Sequence, residues 1–167
     1  MSLADSLRNM QNEEKEEKQR QQEKFNQPMP DSLALEIATV IYHYIADELT
    51  RKVKSRQFDY YNGMFGTKTN CRYEVTWNFG MNSVIPDDVK IRKNDYMDQW
   101  YNDGTTFATW KLEDASRIIS HLVPLLHNDG IKTQKQKKHH KGGEILPSHY
   151  YIEFTAILPC NSNGDIR

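Results

Sequence analysis

The segment from Ile131 to Gly143 carries positive charge without any acidic residue. It contains five lysines and two histidines. Lysine ammonium groups neutralise phosphates, and two adjacent glycines let a loop follow the backbone of a nucleic acid. The alternative is that the lysines keep an exposed β-strand soluble. We predict nucleic-acid contacts from Lys132, Lys135, Lys137, Lys138 and Lys141.

A second basic cluster lies where a predicted helix ends. It consists of Arg51, Lys52, Lys54 and Arg56. Aromatic residues follow it closely, and rings beside cations are suited to stacking on bases while the cations bind phosphates. We predict this stacking role for Tyr60, Tyr61 and Phe65.

Carboxylates and histidines offer a metal-dependent alternative. Glu74 and Glu153 each lie on the polar face of a predicted strand, and two converging carboxylates can hold Mg²⁺ for hydrolysis. His43 and Asp47 are four residues apart on one helix face, a spacing that metal ligands use. Neither pair belongs to a motif such as HExxH. The sequence therefore predicts no metal and no cofactor, and a metal-dependent hydrolase is the least favoured class.

Nucleophilic catalysis is not indicated. The sequence has no GxSxG motif and no glycine-rich phosphate loop after a strand. The two cysteines, Cys71 and Cys160, form no CxxC pair. We expect reduced thiols, Cys71 buried in a strand and Cys160 exposed beside turn residues, and a disulfide only if their strands are neighbours. These observations favour a protein that is not an enzyme.

The composition limits the class of protein. A chain of 167 residues suits one domain with a tail. The balance of 22 Lys+Arg against 23 Asp+Glu gives no overall attraction to nucleic acid. No apolar stretch is long enough to cross a bilayer. The first residues lack an apolar region of the signal-peptide type, so we expect a cytoplasmic protein.

Residues 1–27 predict a charged arm and linker. Gln11 to Lys24 include no aliphatic or aromatic residue, and their charges alternate at spacings that favour helix. Leu3, Leu7 and Met10 begin a heptad-like apolar pattern that stops after Met10. Two prolines then separate this arm, helical or disordered, from a single domain over residues 28–167.

Two segments have the apolar periodicity of amphipathic helices, residues 32–54 and 113–127. Pro124 lies inside the second segment, where we expect it to kink or divide the helix. Pro86 and the two aspartates after it permit another helix over residues 87–102, with Asn102-Asp103-Gly104 as its end.

Strict alternation of apolar and polar residues predicts half-buried strands at 71–79 and 146–158. Residues 105–111 predict a shorter strand. Residues 131–140 predict the first arm of a hairpin that turns at Gly142-Gly143. Strands with one apolar face are typical of antiparallel sheets.

Residues 57–70 alternate aromatic residues with glycine and asparagine. They predict either a short hairpin turning at Asn62-Gly63 or an aromatic loop. With the other elements they indicate an α+β fold, in which two or three helices pack on one face of a small antiparallel sheet.

These patterns together predict a small intracellular binding or accessory protein that contacts nucleic acid through a lysine-rich hairpin. The alternative is a protein–protein interaction module, such as an inhibitor, an adaptor or a phage-type accessory factor. That module would use the N-terminal arm and the aromatic loop.

Overall fold

The predicted α+β fold is confirmed. A computed structural model describes residues 2–26, 28–61, 70–80, 97–102, 105–143 and 148–167. These residues form three helices: α1 (Leu3–Asn26), α2 (Asp31–Lys54) and α3 (Leu112–Asn128). They also form six strands: β1 (Asp59–Tyr61), β2 (Asn70–Asn78), β3 (Met97–Asn102), β4 (Thr105–Trp110), β5 (Lys132–His140) and β6 (His149–Cys160).

Four strands form one antiparallel sheet in the order β1-β2-β6-β5. Alternate residues of β2 are buried, from Cys71 to Trp77. This alternation arises because one face of an antiparallel sheet packs on the core and the other does not. The two long strands predicted from alternation are confirmed as β2 and β6.

Helices α2 and α3 cover the buried face of this sheet. α2 lies over β2, and α3 lies over β5 and β6. The apolar stripes of both helices join the strand side chains in one core. Tyr44 of α2, for example, packs edge-on against Trp77 with ring centroids 5.1 Å apart. The two helices predicted from apolar periodicity are therefore confirmed.

Helix α3 continues through Pro124, so the predicted division of this helix is wrong. Pro124 has no N–H and leaves the carbonyl of Ser120 without its usual i+4 donor, at a cost of about 3 kcal/mol in a helix interior. Leu122 before the proline and Leu126 after it are both fully buried. Burial of both halves against the sheet offsets the cost of the proline.

Residues 97–102 form strand β3, and the prediction that they end a helix is wrong. β3 pairs with β4 as a separate two-stranded sheet, with Asn102 opposite Thr105. The two residues between them, Asp103-Gly104, are a dipeptide that favours two-residue hairpins. β4 confirms the short strand predicted there. The rest of the predicted helix, residues 87–96, lies outside the described residues.

The register of β1 and β2 does not fit a two-residue turn at Asn62-Gly63. Tyr61 lies opposite Asn70, so residues 62–69 join the two strands and Asn62-Gly63 alone does not. That connection, which includes Phe65, lies outside the described residues.

Cys71 and Cys160 lie opposite each other on neighbouring strands, and both are buried free thiols. The expected exposure of Cys160 is wrong, because β6 extends to Cys160 and its side chain faces the core. Burial raises the pKa of the Cys160 thiol. Both cysteines therefore belong to the apolar core.

The N-terminal arm forms helix α1, the helical one of the two predicted alternatives. A reciprocal cap starts it: the Asp5 N–H donates to Ser2 Oγ at 3.2 Å, and Ser2 Oγ donates to Asp5 Oδ2 at 2.8 Å. The boundary between arm and domain stays a prediction. Met29 already belongs to the core, being 1% exposed, and its N–H donates to Asp114 Oδ1 at 3.3 Å.

Candidate nucleic-acid interface

Strand β5 is an edge strand and carries most of the predicted phosphate ligands. In the described part of the chain it pairs only with β6, so the predicted pairing of these two arms is confirmed, while the turn at Gly142-Gly143 stays a prediction. Side chains alternate across a strand, so Lys135 and Lys137, opposite buried residues of β6, lie on the face covered by α3. Lys132 and Lys138 lie on the other face, here termed the open face. Lys141 follows in the connection.

On the helix-covered face, Lys137 lies beside two aromatic rings. His139 and Tyr150 are opposite each other in register, and their ring centroids are 4.5 Å apart. Lys137 Nζ lies 4.8 Å from the centroid of the Tyr150 ring, which is a cation–π distance. His139 Nε2 and Ser148 Oγ share a hydrogen bond of 2.6 Å. Tyr150 is 54% exposed, so its ring is accessible to a ligand.

The open face of the same hairpin carries a second group of rings. His140 and His149 stack with centroids 5.1 Å apart and an interplanar angle of 19°. The ring of His149 also lies 5.9 Å from that of Tyr151. Lys138 lies opposite Tyr151, and its Nζ is 3.1 Å from Glu153 Oε2. A carboxylate therefore balances the lysine on this face.

We term residues 137–141 and 149–151 the hairpin end. It places lysines and aromatic rings on both faces of a two-stranded ribbon. Sequence reasoning found its lysines but missed its aromatic partners, the histidines and Tyr150 and Tyr151. The signal was present, because a hairpin turning after Lys141 must bring the start of β6 opposite the end of β5.

Two cations of the second basic cluster are bonded within the protein. Arg51 Nη2 lies 3.0 Å from Glu48 Oε2. Lys52 Nζ donates to the backbone carbonyl of Glu74 in β2 at 2.6 Å. Since β1 pairs only with residues 70–72 of β2, Lys52 provides a partner farther along that strand.

Arg56 is bonded to residues that follow β6. Its Nη1 donates to Asp165 Oδ1 at 2.6 Å and to the Asn163 carbonyl at 3.0 Å. The hydrogen bond from Arg56 holds the pKa of Asp165 below its ordinary value. Lys54 is exposed, and no contact within the described residues engages its ammonium group. One of the four cations in this cluster is thus without an internal partner in that part of the chain.

Tyr60 is as exposed as Tyr150 but lies among different neighbours. It is 57% exposed, its hydroxyl donates to the Ser162 carbonyl at 3.1 Å, and its ring lies 5.5 Å from that of Phe58. For Tyr61 the structure gives its backbone position in β1.

The structure does not bring the two basic clusters together. The end of α2 lies beside β1 and β2, whereas the hairpin end belongs to the opposite edge of the sheet. β1 and β5 are three strand spacings apart, roughly 14 Å. A ligand that touches both clusters must therefore cross the sheet.

The two glutamates proposed for a metal site line one polar pocket on the open face, but the register of β2 and β6 offsets them along the strands. The strands are neighbours, but Asn78 lies opposite Glu153, and Glu74 is four residues away along β2, or about 13 Å. Arg72 Nε forms an ion pair with Glu74, as Lys138 does with Glu153. Ion pairing on the sheet surface accounts for both carboxylates.

His43 and Asp47 do not form a metal site either. The His43 ring packs edge-on against Tyr42 at 5.3 Å. No group of three or more His, Cys, Asp or Glu side chains in the described ranges is arranged to hold a metal ion.

Comparisons with known proteins assign no family to the chain. No family model, no curated protein and no solved structure matches it. Within the described residues, no helix combines the length and the apolar character needed to cross a membrane. A functional proposal therefore depends on the geometry of the site itself.

Proposed function

We propose that the protein binds nucleic acid through the hairpin end and does not catalyse a reaction. The exposed ring of Tyr150, with Lys137 Nζ 4.8 Å from its centroid and the His139 ring beside it, carries this proposal. A ring held by its neighbours next to a cation can stack on a base while the cation neutralises the adjacent phosphate.

Each group in the hairpin end has a distinct role in this proposal. Lys137 and Lys141 neutralise phosphates, and Lys138 contributes by exchanging its partner Glu153 for a phosphate. Tyr150 supplies stacking, which is worth about 1–3 kcal/mol per base. Since only an unpaired base offers a free face to a side chain, we expect a preference for single-stranded DNA or RNA.

Fluorescence anisotropy with short single- and double-stranded DNA and RNA, at low and near-physiological salt, tests the proposal. Three phosphate contacts to a single strand predict a slope of log affinity against log salt of about −2. Tighter binding to the single strands is the expected result. Absence of binding at low salt, or binding that does not change with salt, would contradict the proposal.

Charge reversal locates the surface. We expect Lys137→Glu with Lys141→Glu to weaken binding at least about tenfold, because two phosphate ligands become repulsive. The matched control is Lys15→Glu with Lys18→Glu on the exposed helix α1, which makes the same change in net charge. Equal losses in both variants would mean that net charge and not the hairpin end governs binding. Circular dichroism checks the fold of each variant.

A second candidate function is protein binding through α1. Leu3, Leu7 and Met10 are 76%, 50% and 56% exposed, and they lie along one side of this helix at spacings of four and three residues. We propose that a partner covers them. Deleting residues 1–27 should then abolish self-association or partner capture while leaving nucleic-acid affinity unchanged, and unchanged association in the truncated protein would refute it.

A further inference from the structure

A groove runs between helix α3 and the edge strand β5. Its volume is about 430 Å³. Two side chains of the buried core, Ile119 and Phe154, line it from below, and Ser116 and Ser120 line it from the helix side. Val123 and Pro124 of α3 also line the groove and, unlike Ile119 and Phe154, are not buried. The groove is therefore apolar at its base and open along β5.

The strand wall of the groove offers backbone hydrogen bonds. β5 is nine residues long and is paired on one side only, by β6, among the described strands. An edge of this kind presents a row of N–H and C=O groups to any chain that lies alongside it. His127 Nε2 and Thr133 Oγ1 share a hydrogen bond of 3.2 Å, which joins α3 to β5 at one end of the groove.

The helix wall adds an acceptor. Pro124 and Ser120 both line the groove. Because Pro124 has no N–H, the carbonyl of Ser120 lacks its i+4 donor within α3. A main-chain acceptor of α3 is therefore left without its helical donor at a residue that lines the groove.

The positive charge of the groove favours an acidic ligand. Lys135 lines it, its side chain is exposed, and it forms no ion pair within the described residues. No acidic residue occurs between positions 131 and 143. An extended peptide with a carboxylate near Lys135 and an apolar side chain against Val123 complements this charge and the apolar lining of the groove.

We propose that β5 and α3 together bind an extended acidic peptide of a partner protein by strand addition. The peptide pairs with the outer edge of β5, places an apolar side chain into the groove, and directs an acidic side chain two residues away towards Lys135. Side chains of a strand alternate, so the recognised pattern is an apolar residue and an acidic residue separated by one position. The groove is lined by Thr133, Gln134 and Lys135 of β5, whereas the hairpin end begins at Lys137 of the same strand, so the two sites are neighbours, and the peptide site does not depend on nucleic-acid binding.

A fluorescein-labelled nine-residue peptide, Glu-Thr-Glu-Thr-Val-Thr-Glu-Thr-Glu, tests the proposal with the full-length protein. Its pattern is the same in both chain directions, so it suits either orientation on β5. Saturable binding is expected, with loss of binding when backbone amides at alternate positions are methylated. Two outcomes would overturn the proposal: no binding, or equal binding of the methylated peptide, which would indicate charge attraction without strand pairing.

Peptide binding by variants of groove residues tests whether the peptide binds in the groove. We expect Ser120→Trp to fill the groove and weaken peptide binding at least about tenfold, and Lys135→Glu to weaken it as well. The matched control is Thr39→Trp on the exposed side of α2, which should bind normally. Unchanged binding by Ser120→Trp would refute the proposal.

Measuring the affinity of each variant for single-stranded DNA as well as for the peptide distinguishes the groove from the hairpin end. Ser120→Trp should leave DNA affinity unchanged, and Tyr150→Ala should leave peptide affinity unchanged. If Ser120→Trp weakens DNA binding as much as peptide binding, the groove belongs to the nucleic-acid interface and strand addition is wrong. Failure of DNA binding alone would contradict the proposed function and leave the peptide site intact.

Discussion

The hairpin end and the end of α2 carry similar numbers of cations but differ in what those cations contact. At the hairpin end, Lys137 lies over an exposed ring and, within the described residues, forms no ion pair. At the end of α2, Arg51, Lys52 and Arg56 bond to carboxylates or backbone carbonyls of the same protein. Two basic stretches of similar charge therefore differ in whether their charge is available to a ligand.

The comparison extends to the aromatic residues of the two regions. Tyr150 and Tyr60 are about equally exposed, at 54% and 57%. Tyr150 has a cation and an imidazole beside its ring, whereas Tyr60 donates its hydroxyl to a backbone carbonyl. Exposure alone does not distinguish the two rings, whereas the groups beside them do.

The largest expected effect is a loss of folding stability when the turn that contacts the end of α2 is disrupted. Gly164 has φ +83°, and an added Cβ would lie 2.8 Å from both Phe58 Cε1 and the Tyr73 hydroxyl oxygen. We expect Gly164→Ala to lower the free energy of unfolding by about 2–4 kcal/mol, through backbone strain and overpacking. Urea unfolding measures this loss.

Gly143 is the control for that substitution because it lies in the connection of the hairpin. An added Cβ there meets nothing within 4 Å. Gly143→Ala should therefore change stability by less than about 0.5 kcal/mol. Similar losses in both variants would mean that the two regions do not differ in how tightly they are anchored.

Removing the two exposed tyrosines in turn sharpens the comparison. Tyr150→Ala should weaken binding of single-stranded DNA by about 1–3 kcal/mol, since stacking on the ring is lost. Tyr60→Ala removes a side chain of equal exposure and should leave affinity unchanged. Anisotropy titrations at one salt concentration give both values. A larger loss in Tyr60→Ala would transfer the stacking role to the aromatic residues predicted first.

The core contains a buried carboxylate, Asp114, that has one hydrogen-bonded oxygen and one without a hydrogen-bond partner in the described residues. Asp114 is 2% exposed, its Oδ1 accepts the Met29 N–H, and its Oδ2 has no hydrogen-bond partner within the described residues. Burial raises the pKa of Asp114, against the opposing hydrogen bond from Met29. A raised carboxyl pKa means that the group favours the folded state most at acidic pH, and this contribution is lost as pH rises through the folded pKa.

Asp114→Asn should therefore stabilise the protein at pH 7 by on the order of 1 kcal/mol. The amide oxygen can still accept the Met29 N–H, and no charge is buried. The gain over the parent protein should shrink at pH 4, which urea unfolding at both pH values will measure. Glu113→Gln, at the exposed neighbouring position, should have no such effect. A destabilised Asp114→Asn variant at pH 7 would contradict this account.

The smallest expected effect comes from releasing Arg56. Asp165→Asn removes the carboxylate that holds its guanidinium, so we expect a modest rise in DNA affinity at low salt. Asp59→Asn makes the same charge change in β1 without removing an ion pair of Arg56, and should produce a smaller rise. Equal rises would show that net charge is responsible and that the internal partner does not matter.

The same ion pair has a pH signature. Arg56 lowers the pKa of Asp165 in the folded protein. The Asp165 carboxylate therefore contributes to folding stability at neutral pH. That contribution is lost as pH falls through the lowered pKa. Thermal melts of the parent protein and of Asp165→Asn should therefore converge in acid. A difference in melting temperature that persists at acidic pH would contradict an electrostatic role for Asp165.

The sequence predicted the elements whose side chains repeat with one clear period. β2 alternates over its whole length, and α2 and α3 keep an apolar stripe, so burial on one face determined each of them. β3 could not be identified, because a short segment with aromatic residues in it fits helix and strand alike until its pairing partner is known.

The candidate site was predictable only in part. The division of the lysines between two faces follows from the alternation of side chains along a strand, so it could have been deduced from the sequence. The partner of Arg56 was not predictable, because Asp165 reaches Arg56 only through a turn held by Gly164 and the tyrosines of β1 and β2. Long-range contacts of this kind leave no local pattern in a sequence.

The strand order has a consequence for how the chain folds. β5 and β6 are joined by residues 141–148, so their hairpin closes a short loop. The central pairing of β2 with β6 must wait for chain segments far apart in sequence to meet, since β2 ends at Asn78 and β6 begins only at His149. Loop closure slows such contacts. We therefore expect the hairpin that carries the candidate interface to form early and to provide the edge onto which β2 later assembles.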